Sequence, residues 1–398
     1  MTEGTAVYYD PYDFDIDVDP YPVWKAMRDE APLYRNERYG FWALSRFGDV
    51  EAATMDWRTY SSGRGSVLEL IQSGMAIPPG TILFEDPPAH DVHRGLLSRV
   101  FTPRRMAAIE PQVRVFCARS LDPLVGSGGF DFIRDLGAQM PMKTIGMLLG
   151  IPEEDQEAIR DRMDAGMKLA GGAMPDRIEA EYAVTAGDSF EPYVDWRREH
   201  PSDDLMTDLL NATYEDVEGV ERTLTREEVL AYVGLLAAAG NETTTRLVGW
   251  TGKVLAEHPE QRAMLADDPS LIPNAIEELL RYEAPSPVQA RYVTSDVEHY
   301  GVTVPEGSVM LLLTAAANRD ERRFADPDRF DIHRRIDHHL TFGYGLHFCL
   351  GAALARLEGR VALEEVLKRF PTWEVDWDNA EQAHTSTVRG WERLPVIT

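Results

Sequence analysis

The amino-acid sequence predicts a mainly α fold with small β-sheets. Its clearest sign is a capping box at Thr225 and Glu228, whose side chains can each accept a hydrogen bond from the other residue's backbone N–H. This box opens an apolar periodic run that stops at His258-Pro259. A helix of roughly 32 residues is about 48 Å long, enough to cross a whole domain. Helical periodicity recurs through much of the remaining chain and the strand-like pieces are short, so helices should dominate.

The other elements follow from local patterns. A short helix is predicted near Tyr21–Glu30, and Pro32–Arg46 alternates like a hairpin that turns at Asn36-Glu37. Residues 61–88 carry few helix signals and many Gly and Pro, which is typical of a long functional loop. The further predicted helices are 90–100, 104–124, 137–149, 153–168, 176–199 and 273–282, and the predicted strands are 291–294, 299–304 and 308–313.

Composition excludes several classes of function. The 398 residues contain 40 Lys and Arg against 67 Asp and Glu, a formal net charge of −27. Such a chain is a poor partner for nucleic acid or an anionic membrane. Two cysteines are too few for a disulfide framework or a zinc site, which favours a reducing cytosol. The start of the chain lacks a leader pattern, and the longest nearly apolar run, Val309–Ala317, is too short to span a bilayer. We therefore expect a cytoplasmic protein with one domain over residues 1–398.

One cysteine lies in an unusual loop. Residues 342–351 read FGYGLHFCLG, directly before a helical run that begins at Ala352. The glycines leave backbone N–H groups free to point at a thiolate, and a thiolate held in this way can face a metal. The alternative is a buried structural cysteine, the ordinary interpretation of a lone cysteine. Cys117, within a helical run, is interpreted as such a core residue.

The loop resembles the haem-ligand loop of the cytochrome P-450 family, whose pattern is F-x-x-G-x-x-x-C-x-G. The resemblance implies that Cys349 is the axial thiolate of haem b, where an anionic sulfur favours O–O cleavage. It also implies contacts to this cofactor from the neighbouring residues Phe342, Gly343, His347 and Gly351.

The long predicted helix carries a second motif, AAAGNETT, at residues 237–244. Thr243 can hydrogen-bond back to the carbonyl of Ala239, which loosens a helix locally. Alone, such a stretch is more often an exposed helix patch or a break between helices. It resembles the family's oxygen-activating motif, [AG]-G-x-[DE]-T-[TS], which implies cofactor contacts at Ala239 and Gly240. The same resemblance implies that Glu242, as acid, and Thr243, as alcohol, deliver protons during oxygen activation.

Buried haem propionates need cationic or donor partners. His90 and Arg94 are spaced i, i+4 and match the family's H-x-x-x-R motif, although alone they are typical of a solvated helix face. The resemblance implies that Arg291 and His347 complete the set of propionate partners.

A further pair, Glu278 and Arg281, matches the family's E-x-x-R motif. Alone, such a pair is usually a solvated surface ion pair. The resemblance implies a structural trio, with Arg329 of the segment Pro327–Phe330 as its third member.

Substrate contacts are expected from apolar residues in segments that the family uses for this purpose. These residues suit a hydrophobic substrate held by shape, although each fits an ordinary core equally well. They are Val67, Leu68, Leu83, Met167, Val288 and Val388.

An electron donor is also expected, because the chain contains no flavin or iron–sulfur module. The resemblance implies a separate ferredoxin with an NAD(P)H-dependent reductase. Arg99, Arg104 and Arg105 lie in an acid-free stretch of this acidic chain, so we expect them to help dock the ferredoxin. A solvated helix face is the alternative.

The resemblance extends from the hairpin near Pro32 to the C-terminal segment. It implies a haem-thiolate monooxygenase that inserts one oxygen atom from O2 into a terpenoid, fatty acid, sterol, polyketide or similar molecule. One alternative is a peroxide-driven peroxygenase, which would not need the acid–alcohol pair. The other is a haem sensor or ligand carrier without turnover.

Overall fold

Helices dominate the computed structural model, which describes residues 7–77, 80–98, 101–167, 174, 188–385 and 387–398. The described helices are α1 (Phe14–Val18), α2 (Tyr21–Glu30), α3 (Phe47–Met55), α4 (Leu68–Ser73), α5 (Ala89–Ser98), α6 (Pro103–Leu121), α7 (Met140–Leu149), α8 (Glu153–Met167), α9 (Glu191–Glu199), α10 (Leu205–Asn211), α11 (Arg226–Glu257), α12 (Pro259–Asp267), α13 (Ile272–Tyr282), α14 (Thr314–Ala317) and α15 (Ala352–Arg369).

The strands form small sheets. They are β1 (Leu33–Asn36), β2 (Phe41–Leu44), β3 (Tyr60–Ser61), β4 (Gly129–Asp131), β5 (Thr213–Glu215), β6 (Glu221–Thr223), β7 (Gln289–Val293), β8 (Val297–His299), β9 (Val302–Val304), β10 (Val309–Leu312), β11 (Glu374–Val375), β12 (Glu381–His384), β13 (Arg389–Arg393) and β14 (Pro395–Ile397).

The largest described sheet joins distant parts of the chain in the order β1-β2-β10-β7-β3. β10 runs parallel to β2, with Val309 opposite Phe41, and antiparallel to β7, with Val309 opposite Tyr292. All four residues of β10 are buried. The sheet therefore ties the N-terminal hairpin to the segment that follows α13.

Helix α11 is the long helix that the sequence predicts, and it has 32 residues. The Thr225 hydroxyl accepts from the Glu228 N–H at 3.2 Å, and the Glu228 carboxylate accepts from the Thr225 N–H at 2.8 Å. Two apolar clusters meet on it: Leu247 and Val254 belong to the one that includes α15, and Val229 and Val233 to the other. The capping box and the length of the helix are confirmed, and α11 lies through the core.

Several predicted boundaries are also confirmed, among them α2, the hairpin β1–β2 and α13. Two predictions are wrong. Residues 61–88 are not devoid of helix, because α4 and a 3₁₀ turn at Ile82–Phe84 lie there. The predicted strand 299–304 is a hairpin, β8–β9, whose turn places Tyr300 at φ 55° and Gly301 at φ 76°. Short elements such as these carry too few residues for a periodic signal. Half of the predicted helix 176–199, residues 176–187, lies outside the described residues, and the described half contains α9.

The predicted structural trio is correct in two of its members. Arg281 and Glu278 are fully buried and joined by hydrogen bonds of 2.7 and 2.8 Å. The third member is not Arg329, whose side chain is 66% exposed and whose guanidinium lies 2.7 Å from Asp331. Arg334 takes that place, with its Nε 3.0 Å from Glu278 Oε1. Asp331 is a near partner for Arg329 at the surface, which leaves the buried carboxylate to Arg334.

Candidate active site

Cys349 lies in a loop whose backbone is arranged around its sulfur. The Cys349 N–H donates to the Phe342 carbonyl at 2.8 Å, which closes the loop. Gly343 and Gly345 have φ angles of 70° and 72°, a left-handed conformation that suits glycine. The backbone N–H of Gly351 donates to the sulfur. The loop therefore presents the sulfur just before α15 begins.

The surroundings of this sulfur shift the pKa of the Cys349 thiol in opposite directions. The cysteine has accessible surface, yet enough protein surrounds it that burial raises the pKa of its thiol. The Gly351 N–H, Arg94 and Arg356 oppose that rise. A coordinated metal cation reverses the balance, because a coordinating thiol is deprotonated. Cys117, in contrast, is a core residue as predicted: it is fully buried, which raises the pKa of its thiol to about 12.

Helix α11 has an accessible stripe in its otherwise buried middle. Ala239 is exposed, and Gly240 and Thr243 are partly exposed, whereas Ala238, Asn241 and Glu242 are buried. The Thr243 hydroxyl donates to the Ala239 carbonyl at 2.9 Å, so the predicted back-bond is confirmed. Small residues and one hydroxyl thus line a face of the helix that a flat ligand can approach.

Glu242 lies away from that stripe. It is 4% exposed and forms an ion pair with Arg246, one helical turn further along α11. Arg246 also donates to the carbonyl of Trp391 in β13. Because successive helix residues do not face each other, the carboxylate is not beside the Thr243 hydroxyl. Arg246 is a partner of Glu242 that the sequence analysis missed, although its i, i+4 spacing was a signal.

Four predicted residues converge on one region. The rings of His90 and His347 have centroids 4.5 Å apart, and Arg94 Nη2 donates to the Phe348 carbonyl at 2.6 Å. Arg291 is 6% exposed and donates to the Ala290 carbonyl. Burial, together with Arg291, His90 and Arg94, lowers the pKa of His347 to about 3. Burial also lowers the pKa of Arg291 to about 10.

Two ring nitrogens of this region have no hydrogen-bond partner among the described residues, although Nδ1 of His90 lies 3.4 Å from Asp91. The Nε2 atoms of His90 and His347 are buried and have no hydrogen-bond partner among the described residues. Buried polar groups are ordinarily hydrogen-bonded, so such orphans indicate a missing ligand. A ligand with carboxylate groups suits this region, in which Arg291 is buried, Arg94 is partly buried and two imidazole nitrogens are unpaired.

A buried acid on α15, Glu358, was also missed. Its side chain is 1% exposed, and its Oε2 accepts from the Thr244 hydroxyl at 3.3 Å. Burial without a cation raises its pKa to about 8. The sequence contained a signal, since Glu358 shares a helix face with the apolar residues Leu354 and Val361.

The predicted substrate residues mostly lie together. Val67, Leu68, Val288 and Val388 line one cavity between the N-terminal segment and the turn that joins β12 to β13. Leu83 lies elsewhere, in the 3₁₀ turn at residues 82–84. The side chain of Met167 is outside the described residues, as is Arg99. Of the predicted docking arginines that remain, Arg104 is exposed and Arg105 lies 2.8 Å from Asp208.

Comparison with known proteins decides the family. The family model described as Cytochrome P450 matches residues 176–388. A Mycobacterium tuberculosis protein named as cytochrome P450 123 is 40% identical, over 97% of this chain and 96% of the relative. The chain belongs to the cytochrome P450 family. The solved structure of cytochrome P450 CYP109Q5 from Chondromyces apiculatus superposes on it with a TM-score of 0.86 and 34% identity, over 99% of this chain and 98% of that one.

Another P450 relative carries a functional name. The vitamin D(3) 25-hydroxylase of Pseudonocardia autotrophica is 36% identical, over 95% of this chain and 93% of the relative. Family membership makes this protein a P450 monooxygenase that has a haem-thiolate cofactor and uses O2 and a redox partner. The residues present fit that cofactor, since a loop-held sulfur and unpaired donors for carboxylates are both in place. None of the described helices is long and apolar enough to cross a membrane.

Proposed function

We propose that this P450 inserts one oxygen atom from O2 into a hydrophobic small molecule such as a terpenoid, fatty acid, sterol or polyketide. The observation that carries the proposal is the pairing of the Cys349 loop with the unsatisfied donors of His90 and His347. The whole chain, residues 1–398, acts as one haem domain. The name of the Pseudonocardia relative, a hydroxylase of an apolar molecule, supports this substrate class.

Haem b is the proposed cofactor, and this chain's residues divide its binding among them. Cys349 would hold the iron, and His90, Arg94, Arg291 and His347 would hold the two propionates. The small stripe residues Ala239 and Gly240 would contact one face of the macrocycle, and Phe342, Gly343 and Gly351 the other. When bound, the haem supplies the reductive activation of dioxygen and the transfer of one oxygen atom.

Proton delivery falls to residues on α11 and α15. Thr243 holds one proton at its hydroxyl, on the accessible side of α11. Rotation of this hydroxyl away from the Ala239 carbonyl would turn its proton toward the accessible stripe. We propose that Glu242, once separated from Arg246, takes up a proton from water and passes it to this hydroxyl, and that the carboxyl group of Glu358 behind Thr244 is a second source.

Electrons would come from a ferredoxin and its NAD(P)H-dependent reductase. The exposed guanidinium of Arg104 supports this, as a cation on a chain of net charge −27 attracts an acidic partner locally. Arg105 contributes less, because Asp208 already pairs with it.

One pair of measurements tests the proposal. The reduced, CO-bound protein should show the red-shifted Soret band of a thiolate-ligated haem, and Cys349→Ser should abolish that band. Product should then form from a hydrophobic substrate only with NAD(P)H, reductase and ferredoxin. Turnover driven by peroxide alone would favour a peroxygenase, and haem binding without any turnover would favour a sensor or carrier.

A further inference from the structure

Three tryptophan side chains form a path from helix α11 to the protein surface. The ring centroids of Trp250 and Trp391 are 5.8 Å apart, and those of Trp391 and Trp377 are also 5.8 Å apart. These separations are typical of aromatic rings in contact. Trp250 is 2% exposed, Trp391 is partly exposed and Trp377 is 52% exposed. The three indoles, here called the tryptophan path, therefore connect a buried ring to one that solvent reaches.

The inner end of the tryptophan path lies on the helix that carries the accessible stripe. Trp250 follows Thr243 by seven residues, so the two side chains share a face of α11. Seven residues correspond to about 10 Å along the helix axis. Trp391 is fastened to the same helix, because Arg246 donates to its backbone carbonyl. The path therefore begins two helical turns beyond the stripe along which the haem would lie.

Two cations lie over the inner ring. Arg389 Cζ is 4.7 Å and Lys253 Nζ is 5.9 Å from the ring centroid of Trp250. A positive charge beside a ring opposes the removal of an electron from it, since the oxidised ring is itself positive. Each cation also has a carboxylate partner, which reduces this effect. An electron vacancy on Trp250 is therefore driven away from these cations.

The outer ring has the opposite surroundings. Trp377 stands between Asp376 and Asp378 in the sequence, and both carboxylates have access to solvent. Among the described residues, cations lie over the ring of Trp250 but not over those of Trp391 and Trp377. Negative charge beside a ring favours its oxidised, positive form. The charges along the tryptophan path thus favour movement of an electron vacancy toward the surface.

We propose that the tryptophan path gives the haem-loaded protein a second activity, the peroxide-dependent oxidation of cationic one-electron donors at Trp377. The O–O bond of hydrogen peroxide breaks at the haem, and its two oxygen atoms take up two electrons and two protons and leave as water. Each electron comes from Trp250, which is refilled through Trp391 and Trp377 from the donor. Two donor molecules are oxidised per peroxide, and no oxygen atom is transferred. This activity rests on the haem-thiolate cofactor of the family and not on the proposed substrate.

Packing alone is the alternative explanation for these indoles. It accounts for Trp250, whose ring is buried. It accounts less well for Trp377, because a ring that is half exposed removes little apolar surface from water. An exposed ring in contact with a partly buried one, with carboxylates beside it, suits the exit of an electron vacancy to a cationic donor.

Peroxide-driven oxidation of ferrocytochrome c by the ferric, haem-loaded enzyme tests the activity. This probe is a cationic protein too large to enter the haem pocket, and its oxidation is followed by absorbance. The assay contains no hydrophobic substrate, ferredoxin or reductase, so a failure of the proposed oxygenation would leave its result unchanged. We expect oxidation well above the rate without enzyme, with two ferrocytochrome c molecules consumed per peroxide. Absence of enzyme-dependent oxidation would overturn the proposal.

Matched variants locate the route. Trp377→Phe should lose most of the enzyme-dependent rate, because a phenyl ring is much harder to oxidise than an indole. Trp377→Tyr supplies an oxidisable ring again and should recover much of the rate. Trp196→Phe is the control, since Trp196 is 55% exposed and lies outside the path. The CO-bound spectrum should be the same in all three variants. An unchanged rate in Trp377→Phe, or an equal loss in Trp196→Phe, would exclude this route.

Electron paramagnetic resonance identifies the outer end of the path without a donor. The ferric enzyme, mixed with hydrogen peroxide and rapidly frozen, should hold a tryptophan radical at Trp377, the ring where the vacancy is favoured. Trp377→Tyr should replace that spectrum with the spectrum of a tyrosine radical, whereas Trp196→Tyr should not. A tryptophan radical spectrum that persists unchanged in Trp377→Tyr would contradict the proposed exit.

Discussion

Glu242 and Glu358 are both buried acids next to threonines of α11, yet their surroundings differ in one respect. Glu242 has a guanidinium as partner, in the ion pair with Arg246. Glu358 has no cation partner among the described residues, and its contact of 3.3 Å is with the hydroxyl of Thr244. Burial then raises the pKa of Glu358 to about 8, so this side chain carries a proton in most molecules at neutral pH.

The difference shows that one residue type can serve two purposes within the same core. A carboxylate held by Arg246 is a fixed charge that has to be released before it can move a proton. A protonated carboxyl such as that of Glu358 already holds the proton that oxygen activation needs. Neither role follows from the residue type alone, because the neighbouring charge decides it.

Removal of Arg246 should produce the largest effect. Arg246→Met leaves the Glu242 carboxylate buried without a partner, and the loss of one member of a buried pair costs about 3–5 kcal/mol of unfolding free energy. Chemical denaturation measures this loss. The double variant Glu242→Gln, Arg246→Met should recover much of it, because no unpaired charge remains. A single variant within about 0.5 kcal/mol of the unaltered protein would mean that the pair is not buried in solution.

Glu358→Gln should have an effect on stability that depends on pH. The folded-state pKa of Glu358 lies near 8, above its ordinary 4.5, so the unfolded chain loses this proton first as pH rises. The unaltered protein therefore loses stability between about pH 4.5 and 8, at about 1.4 kcal/mol per pH unit. The variant lacks that loss, so its free energy of unfolding relative to that of the unaltered protein should rise by about 3 kcal/mol from pH 5 to 7.5. Chemical denaturation at several pH values measures this difference.

Glu365→Gln is the matched control on the same helix. Arg369 and Arg114 outweigh burial there and lower the pKa of Glu365, so this carboxylate stabilises the fold above pH 4.5 and loses that contribution as pH falls. Its replacement should lower the free energy of unfolding at pH 7, whereas Glu358→Gln should raise it. The same sign for both variants would contradict the contrast between paired and unpaired acids.

Local patterns in the sequence were sufficient for much of this fold. The capping box fixed the start of α11, because its two hydrogen bonds involve residues only three apart. The Cys349 loop and the histidine–arginine spacing on α5 depend on similarly short patterns.

Contacts between residues that are distant in the sequence were not predictable from such local patterns. Arg329 and Arg334 both lie more than 50 residues after Glu278 in the sequence, and only tertiary packing decides which of them reaches it. The burial of Glu358 likewise depends on how α15 packs against α11. Short α4 lacked enough residues for a periodic signal, although its Leu68 and Ile71 are core residues.

Thr243→Ala removes the hydroxyl to which Glu242 and Glu358 are proposed to supply protons. The Thr243 side chain is partly exposed and makes a hydrogen bond to its own helix, so its removal should change stability by no more than about 1 kcal/mol. Haem binding and the CO-bound spectrum should stay unchanged. Product formed per NAD(P)H should fall roughly tenfold, with peroxide released instead, because a missing positioned proton donor slows the productive step most. Thr243→Ser keeps the hydroxyl and should retain most of the coupling. If the alanine variant remained fully coupled, protons would reach the site by a route that does not need the Thr243 hydroxyl, and Glu358, which already carries a proton and contacts Thr244, would be the better candidate for their source.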